Sequence, residues 1–471
     1  MKTIGGRAVV IGAGVGGIAA ASALAGRFDE VLVLERDSLP AEPKQRLGVQ
    51  QGRHLHMLLT GGQRAFEGLL PGFTEAILAA GAVAARANLD SRLETPGFDP
   101  PRRDLGWFDY CASRPLIEFV ARSAAEKAGV EFRSRTRVRA VETTPDEQRV
   151  CAVSFERDGS PVERLTADLV IDASGHAGPT LALLKDIGRP APEETTIGID
   201  FGYATQVFEI PPDAPTDWKI LATAPDPRHR ACGGMVAPIE GDCWIVALAG
   251  RGDDTPTATF EGFMAFASGL RTPSIFNAIK HANPVGDVAG YGFRESVRRH
   301  FDRIPPLPRG LIPFGDSRAR FNPVYGQGMS VAALEAGVLA RLLQERDREA
   351  DPIEGLAEAF GDEAESVIDW AWRSSAIPDL ALPQTRGERP PDLDAILRFG
   401  FGLALLAARD PEAHKLEAEV RGLIKPPSVL TEDPALVRRV EELVRRVEAR
   451  LAQRAADAGL AGDTVRPANR I

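Results

Sequence analysis

Three glycines and one carboxylate near the N-terminus have the types and the spacing needed to hold a dinucleotide. Gly12, Gly14 and Gly17 follow a short apolar run at 7–11, and Glu35 ends the next apolar run. In such a pattern the first glycine permits a tight turn out of a strand and the second lets backbone approach a pyrophosphate. The third lets the following helix pack closely. Glu35 can then accept hydrogen bonds from ribose hydroxyls, while the helix N-terminus faces the phosphates.

A second set of residues suited to ligand binding lies much further along the chain. Asp316 follows a buried-strand pattern at 310–314, and the chain then turns at Pro323 into a helix start that carries Gly326 and Gly328. A carboxylate at this end of a strand can accept hydrogen bonds from a polyol such as a ribityl chain. The glycines let backbone approach a flat ring, and the helix N-terminus would stabilise negative charge on a reduced flavin. The alternative is that Asp316 is an ordinary helix or turn cap.

Together the two segments indicate a site for FAD. A pocket closed by both of them suits a long, bent dinucleotide better than NAD. Glu35 argues against NADP at the first motif, although the adjacent Arg36 keeps that interpretation open. The run 167–175 predicts a further strand that leads into a turn of small residues and meets the same cofactor. Taken alone, the first motif is also compatible with a glycine-rich turn that binds no ligand.

Composition limits the class of protein. The chain has 471 residues, of which 44% are hydrophobic and 26% charged, as is typical of a soluble globular protein with two or three subdomains. A net charge of −10 without a dense block of Lys and Arg argues against nucleic-acid binding. The first strand begins almost at once, and no run of about 18 apolar residues follows. We therefore expect no signal peptide, no transmembrane span and a cytoplasmic location.

Cysteine and histidine usage argues against a metal centre. The 4 cysteines lie far apart without a C-x-x-C pair, which is typical of reduced thiols in a cytosolic protein. His54 and His56 have a spacing that can bind a metal ion, but no matching cluster of carboxylates or cysteines accompanies them. We expect no metal.

The order of patterns predicts an α/β protein in which an antiparallel sheet is inserted into a Rossmann-like FAD-binding domain and a helical region follows. Strand-like runs separated by Pro-rich turns indicate the inserted sheet, which would form one wall of a substrate cavity. A last helix at 433–453 carries an apolar stripe that indicates either core packing or the surface of a possible homodimer. The predicted boundaries are 1–75, 100–190 and 296–345 for the FAD-binding domain, 76–99 and 191–295 for the substrate domain, 346–458 for the C-terminal helical region and 459–471 for a disordered tail.

Longer stretches of the sequence resemble the flavin-dependent aromatic hydroxylase and epoxidase superfamily, which has a glutathione-reductase-type FAD domain. The segments 35–40, 46–56, 112–116 and 321–329 look most like the FAD-dependent epoxidases of bacterial polyether biosynthesis. The resemblance implies that Arg46 lies beside the FAD phosphates or the flavin, and that Arg114 contacts FAD from the helix it starts. It also implies FAD contacts across the second motif, at Asp316, Pro323, Gly326, Gln327, Gly328 and Met329.

The activity implied by this resemblance is that of an FAD-dependent monooxygenase. A flavin hydroperoxide formed with dioxygen would transfer one oxygen atom to a small apolar organic substrate, giving an epoxide or a hydroxylated product. His54 and His56 are the candidate catalytic residues, either donating a hydrogen bond or orienting the substrate; structural hydrogen bonding is an equal alternative. NAD(P)H is the expected electron donor. A separate flavin reductase stays possible because Asp172-Ala-Ser-Gly175 departs from the Asp-Gly of many hydroxylases.

Other functions remain open at this point. One is an FAD-dependent reductase or dehydrogenase acting on a prenyl-type or other apolar substrate, and another is a flavin-binding protein without turnover. A halogenase is disfavoured, because the Trp370-Ala-Trp372 pair follows both FAD motifs and does not lie between them. The large side chains available to line a cavity are Phe201, Phe208, Trp218, Met235 and Trp244, each of which core packing explains equally well.

Overall fold

The computed structural model describes residues 3–97, 99–226 and 230–457. Its strands are Gly5–Ile11 (β1), Phe28–Leu34 (β2), Val83–Arg86 (β3), Ser91–Glu94 (β4), Phe108–Cys111 (β5), Val130–Arg133 (β6), Thr136–Thr143 (β7), Val150–Arg157 (β8), Glu163–Thr166 (β9), Leu169–Asp172 (β10), Glu194–Glu209 (β11), Ile220–Thr223 (β12), Gly233–Ile239 (β13), Cys243–Arg251 (β14), Pro284–Arg299 (β15), Leu311–Pro313 (β16) and Ala319–Arg320 (β17).

The helices connect these strands and then dominate the last third of the chain. They are Val15–Leu24 (α1), Thr60–Leu69 (α2), Phe73–Ala79 (α3), Arg114–Lys127 (α4), Gly178–Asp186 (α5), Phe260–Ser268 (α6), Ser274–Ile279 (α7), Gly328–Glu345 (α8), Leu356–Leu380 (α9), Leu393–Ala407 (α10), Pro411–Arg421 (α11) and Pro434–Asp457 (α12). Short 3-10 turns lie at Gln50–Arg53, Phe301–Arg303, Gly315–Ser317, Pro323–Tyr325 and Pro427–Leu430.

Five parallel strands form the sheet beneath the candidate site, in the order β16, β10, β1, β2, β6. Along β1, Ala8 and Val10 are buried toward one side while Val9 and Ile11 are buried toward the other, as a parallel sheet covered on both faces requires. Helices α1, α4 and α8 cover the first face; α5 and the antiparallel sheet β7, β8, β9 cover the second. The predicted α/β class with a Rossmann-like domain is confirmed.

A second sheet has the order β17, β15, β11, β14, β13, β12, β4 and is antiparallel except for the parallel pair β12 and β4. It draws β4 from the predicted substrate segment 76–99, but takes β17 and the end of β15 from the predicted FAD-binding segment 296–345. Helices α6 and α7 cover one face, in a cluster that contains Phe208. Because side chains alternate along a strand, Tyr203 and Thr205 of β11 point to the opposite, inner face.

The C-terminal helices pack on this framework. Helix α9 lies along α8 and β11. Leu436, Val440 and Val444 of α12 pack in one cluster with Leu403 and Leu406 of α10. The apolar stripe predicted in the last helix is therefore used for packing within the chain at these positions, and a homodimer stays a prediction.

A turn separates α2 from α3, because Gly72 adopts a left-handed conformation with φ of +87°. The predicted tail 459–471 lies outside the residues that the structure describes. Within the described ranges, no helix is both long enough and apolar enough to cross a membrane.

Candidate functional site

The first glycine motif forms a close strand-to-helix turn at the carboxyl end of β1. Gly12 has φ of +102°, a conformation that glycine adopts without strain. A Cβ on Gly17 would lie 1.8 Å from the Gly12 carbonyl oxygen, so α1 can approach β1 this closely only because no side chain intervenes. A Cβ on Gly14 would meet no atom within 4 Å, and no side chain of the described residues caps α1. Backbone N–H groups therefore face open space, as pyrophosphate binding needs.

The Glu35 carboxylate is held at the end of β2 by several partners. Its Oε2 accepts a hydrogen bond from the Ala13 N–H at 2.7 Å, and its Oε1 accepts one from the Asp37 N–H at 2.9 Å. The Arg46 Nη1 atom lies 3.3 Å from Oε2. Because a carboxylate offers about four lone pairs, acceptor capacity remains for ribose hydroxyls. Arg36, the next residue, is exposed.

A buried ion-pair chain links the loop after β2 to the start of α4. Arg46 Nη2 donates to Glu118 Oε2 at 2.8 Å and to the Ala13 carbonyl oxygen at 3.1 Å, and Arg114 Nε donates to Glu118 Oε1 at 2.7 Å. Burial alone would raise the pKa of Glu118, but the two arginines hold it below its usual value. Within the described chain the Nη atoms of Arg114 have no hydrogen-bond partner, which leaves them free for an anionic ligand. Glu118 was not among the predicted site residues, although its i, i+4 spacing from Arg114 is typical of a helix ion pair.

Asp316 lies in the turn after β16, beside the N-terminus of α8. Its side chain is exposed and makes no hydrogen bond with any described residue, so the structure does not favour the helix or turn cap that the sequence left open. Solvent reaches this carboxylate, but the protein around it excludes enough water to raise the pKa of Asp316, and the charges of Arg114, Arg320 and Arg299 offset only part of that rise. A carboxylate that is accessible yet enclosed by protein lies in a cleft. The free carboxylate can accept hydrogen bonds from a polyol there.

The glycine-rich segment after Asp316 is a short turn that leads into α8. Pro323 begins the 3-10 turn, and Gly326 ends it with φ of +65°. Gln327 precedes Gly328, the first helical residue, and no described side chain caps this helix N-terminus. The Gln327 Oε1 atom is buried without a hydrogen-bond partner in the described structure, and Met329 is buried behind it in the core. The turn thus presents an uncapped helix N-terminus to the cleft.

His54 lies against the inner face of the second sheet. Its Nδ1 atom is 2.8 Å from Thr205 Oγ1, and its ring centroid is 5.6 Å from that of Tyr291 and 6.2 Å from that of Tyr203. Burial, with a smaller contribution from the charge of Arg53, lowers the pKa of His54 to about 4. The ring is therefore neutral at pH 7. Its Nε2 has no hydrogen-bond partner among the residues described.

His56 can use its second ring nitrogen in one way only. Its Nδ1 lies 2.9 Å from the His54 carbonyl oxygen and must carry the proton, because a carbonyl oxygen can only accept. Burial and the charge of Arg114 lower the pKa of His56 to about 3. The neutral ring therefore offers Nε2 as an acceptor and cannot donate a hydrogen bond from it.

Glu335, which was not among the predicted site residues, is a buried carboxylate beneath the site. It lies within α8 at 0% exposure; its Oε2 accepts from the Gly315 N–H at 2.8 Å, while Oε1 has no partner in the described structure. Burial raises the pKa of Glu335 to about 7 against the opposing charge of Arg318. Glu335 supports the turn that carries Asp316. An acid in the middle of the apolar stretch of α8 was the signal available in the sequence.

Several residues emphasised by the sequence have structural roles instead. Phe208, Trp218 and Trp244 pack beneath α6 and α7, on the face of the second sheet opposite Tyr203. The Trp372 ring packs near Phe321, 6.3 Å away between centroids. Asp172 is buried and accepts hydrogen bonds from the Thr180 backbone and side chain.

One group in the described residues has metal-ligand types close together: His300, Asp302 and Glu365. Glu365 is already paired with Arg298 and Arg318, two positive charges that oppose cation binding. His300 Nε2 is 2.7 Å from Thr195 Oγ1. We therefore assign no metal role to this group.

The residues of the cleft fit an FAD molecule. Open space at Gly14 and the uncapped α1 suit the pyrophosphate, the free nitrogens of Arg114 suit its charge, and the free carboxylate of Asp316 suits a polyol. Fold and cleft together define a flavoprotein with a Rossmann-like FAD-binding domain.

Comparison with known proteins agrees with this class. A family model described as FAD dependent oxidoreductase matches residues 8–184. Protein Rv3254 of Mycobacterium tuberculosis is 32% identical over 403 residues, which cover 82% of this chain and 82% of that protein. Kynurenine 3-monooxygenase of Salinispora tropica is 25% identical over 357 residues, covering 72% of each. The chain belongs to the FAD-dependent oxidoreductase family.

Solved structures share the fold at low identity. A flavoprotein/dehydrogenase from Cytophaga hutchinsonii has a TM-score of 0.65 at 15% identity, covering 94% of this chain and 99% of that one. The flavin-dependent brominase Bmp2 has a TM-score of 0.63 at 15% identity, covering 95% and 100%. PqsL, a probable FAD-dependent monooxygenase from Pseudomonas aeruginosa, has a TM-score of 0.60 at 18% identity, covering 81% and 97%. Such identities establish a common fold and leave the chemistry to the site.

Proposed function

We propose that the protein is an FAD-dependent monooxygenase that transfers one oxygen atom from dioxygen to an organic substrate by epoxidation or hydroxylation, with NAD(P)H as electron donor. The observation that supports it most is the unpartnered Asp316 carboxylate beside the uncapped N-terminus of α8. Bound FAD would supply the oxygen chemistry when reduced. The names of two similar proteins, a kynurenine 3-monooxygenase and a probable monooxygenase, point to the same reaction class.

The protein's own residues would supply binding, charge and a shaped cleft. The turn at Gly12, Gly14 and Gly17 would receive the pyrophosphate, and Glu35 the adenosine ribose. Arg46 and Arg114, fixed by Glu118, would balance phosphate charge. Asp316 would accept hydrogen bonds from the ribityl hydroxyls. The turn made by Pro323, Gly326, Gln327, Gly328 and Met329 would place the N-terminus of α8 at the edge of the flavin ring, where it stabilises negative charge.

His54 and His56 would act as neutral hydrogen-bonding groups. With pKa values of about 4 for His54 and about 3 for His56, both rings are neutral near pH 7, so neither can act as an imidazolium acid. His56 Nε2 would accept a hydrogen bond from a substrate hydroxyl. His54 Nε2 would donate when the Thr205 hydroxyl donates to Nδ1, since the ring then carries its proton on Nε2.

The proposal is tested with the full-length protein loaded with FAD. NADH or NADPH is added without oxygen while flavin absorbance is followed, and then ¹⁸O-labelled dioxygen is admitted with a panel of alkenes and electron-rich aromatic compounds. We expect bleaching, substrate-stimulated NAD(P)H oxidation and one labelled oxygen atom in the product. Bleaching only after addition of a flavin reductase or dithionite would indicate a two-component system.

The rival functions give different results in the same experiment. A reductase of prenyl-type double bonds would form product without oxygen and incorporate no label. A flavin-binding protein without turnover would hold FAD but show no substrate-stimulated oxidation of NAD(P)H. A protein that cannot be reconstituted with FAD would refute the flavin site itself.

A further inference from the structure

The C-terminal helical region contacts the loop at 322–326, which leads into α8 and is the proposed flavin loop. The contact is made by the buried carboxylate of Asp379. Asp379 is 1% exposed and lies in the last turn of α9, directly after Pro378. A negative charge at that end of a helix meets the negative end of the helix dipole and is disfavoured unless nearby donors compensate. The donors that do so in this protein come from outside α9.

Three side chains of the described residues converge on Asp379. Arg251 of β14 forms a buried ion pair with it through Nη2. Asn322 Nδ2 donates to both carboxylate oxygens, at 3.1 and 2.9 Å, and the Tyr325 hydroxyl donates at 3.1 Å. Asn322 and Tyr325 both belong to the turn that leads into α8. Two of the three partners of Asp379 therefore lie in the proposed flavin loop.

The same network fixes the shape of that loop from within. Asn322 is 0% exposed, and its Oδ1 accepts from the Val324 N–H at 3.1 Å and from the Tyr203 hydroxyl at 3.3 Å. Both polar atoms of its side chain are thus engaged. Burial and the charge of Asp379 raise the pKa of Tyr325 and of Tyr203, so both hydroxyls keep their protons and remain donors.

We infer that Asp379 is a positioning residue, which holds the loop at 322–326, and through it the N-terminus of α8, in the conformation that binds FAD. This inference rests on the proposed flavin site. Asp379 lies outside both glycine motifs and outside the residues 8–184 that match the family model. FAD affinity then depends on α9 through the loop that this helix anchors.

The test compares two variants of the full-length protein. Asp379→Asn removes the charge, whereas Tyr325→Phe removes one hydrogen bond and keeps the pair with Arg251. We measure FAD dissociation constants by fluorescence, the visible flavin spectrum and the midpoint potential. Asp379→Asn is expected to weaken FAD binding about tenfold or more and to shift the flavin bands. Tyr325→Phe is expected to act in the same direction by about threefold.

A matched control separates this effect from general loss of stability. Leu403→Ala opens a cavity in the cluster between α10 and α12, so it lowers the melting temperature but should leave FAD affinity, spectrum and potential of the folded fraction unchanged. Folded Asp379→Asn and Tyr325→Phe proteins with wild-type affinity and spectrum would overturn the inference. If Asp379→Asn does not fold, the FAD affinity and spectrum of Tyr325→Phe decide whether the inference holds.

Failure of the flavin site and failure of the inference are distinguishable. Wild-type protein that binds no FAD refutes the proposed function, and the positioning role is then judged from hydrogen exchange at the amides of 324–328. Faster exchange there in Tyr325→Phe than in wild type and Leu403→Ala supports the loop-holding role. Equal exchange in all three overturns it.

Discussion

The two ends of the proposed FAD site are built in different ways. At the first glycine motif the backbone is the structural element, because Gly12 and Gly17 let strand and helix approach to a distance that no other residue allows. At the second, side chains from remote segments hold two short turns: Glu335 of α8 holds the turn that carries Asp316, and Asp379 of α9 holds the loop at 322–326. The first end is a local property of consecutive residues. The second depends on contacts between segments that are remote in sequence, and so responds to changes far from the cofactor.

Gly17→Ala should break the first end completely. A Cβ at 1.8 Å from the Gly12 carbonyl oxygen cannot be accommodated without separating α1 from β1. We expect a loss of more than about 3 kcal/mol in the free energy of unfolding of the apoprotein, measured by urea denaturation. The control is Gly16→Ala, whose Cβ would lie 3.6 Å from Ala332 Cβ, an ordinary contact. Equal unfolding midpoints for the two variants would contradict this account of the turn.

Glu335→Gln tests the second end through its pH dependence. Because the pKa of Glu335 is raised from 4.5 to about 7, its contribution to stability is fully present below pH 4.5 and is lost as pH rises to 7. The loss amounts to about 3 kcal/mol. Glutamine can still accept the Gly315 N–H bond and has no charge to bury, so the variant should gain about that amount over wild type at pH 8.

The control for this titration is an acid on the exposed side of the same helix. Glu345→Gln removes a side chain that is 55% exposed and should leave the pH profile of stability close to that of wild type. Stability is measured by urea unfolding of the apoprotein at several values between pH 4.5 and 8. Parallel profiles for wild type and Glu335→Gln would show that Glu335 does not titrate in this range.

Gly14→Ala separates two properties of the first glycine motif: the packing of the apoprotein and the space that the ligand needs. Gly14 has φ of −70° and ψ of 174°, which alanine adopts freely, and its Cβ would meet no atom of the described chain within 4 Å. We expect apoprotein stability to change by less than about 0.5 kcal/mol. FAD affinity, measured by titration of the apoprotein, should fall about tenfold, because the methyl group takes the place of the pyrophosphate. Unchanged affinity would place the pyrophosphate elsewhere.

The strand, turn and helix at the first end of the proposed site could be predicted from the sequence because they are encoded by adjacent residues. An apolar run, glycines at fixed spacing and an acid after the next apolar run determine a strand, a turn and a helix without reference to the rest of the chain. The Rossmann-like sheet could be predicted for the same reason, because each of its first strands is a local apolar run. The second sheet was also recognised as antiparallel, from strand-like runs separated by Pro-rich turns, although the β4 pairing and the β17 edge were not foreseen.

The second end was predicted only in part, because its partners come from distant segments. The sequence indicated Asp316 and the glycines, but it gave no reason to place Glu335 beneath Gly315 or Asp379 beside Asn322. A buried acid differs from an exposed one only through its tertiary surroundings. The same limit explains the aromatic residues, since the face of a strand on which Phe208 or Trp244 lies depends on what packs against the sheet. The sequence pattern alone could not show whether these aromatic side chains line a cavity or pack in the core.

The chain passes from the parallel sheet to the antiparallel sheet through a very short connection. β16 ends at Pro313 and β17 begins at Ala319, with Asp316 between them. A rigid rotation of one sheet away from the other would have to bend this connection and would displace Asp316 with it. We therefore expect the two sheets to behave as one mechanical body, with the cleft admitting and releasing small molecules through loop motion. A ligand bound by Asp316 would contact the connection between the two sheets. Release of that ligand should therefore increase the mobility of both sheets together.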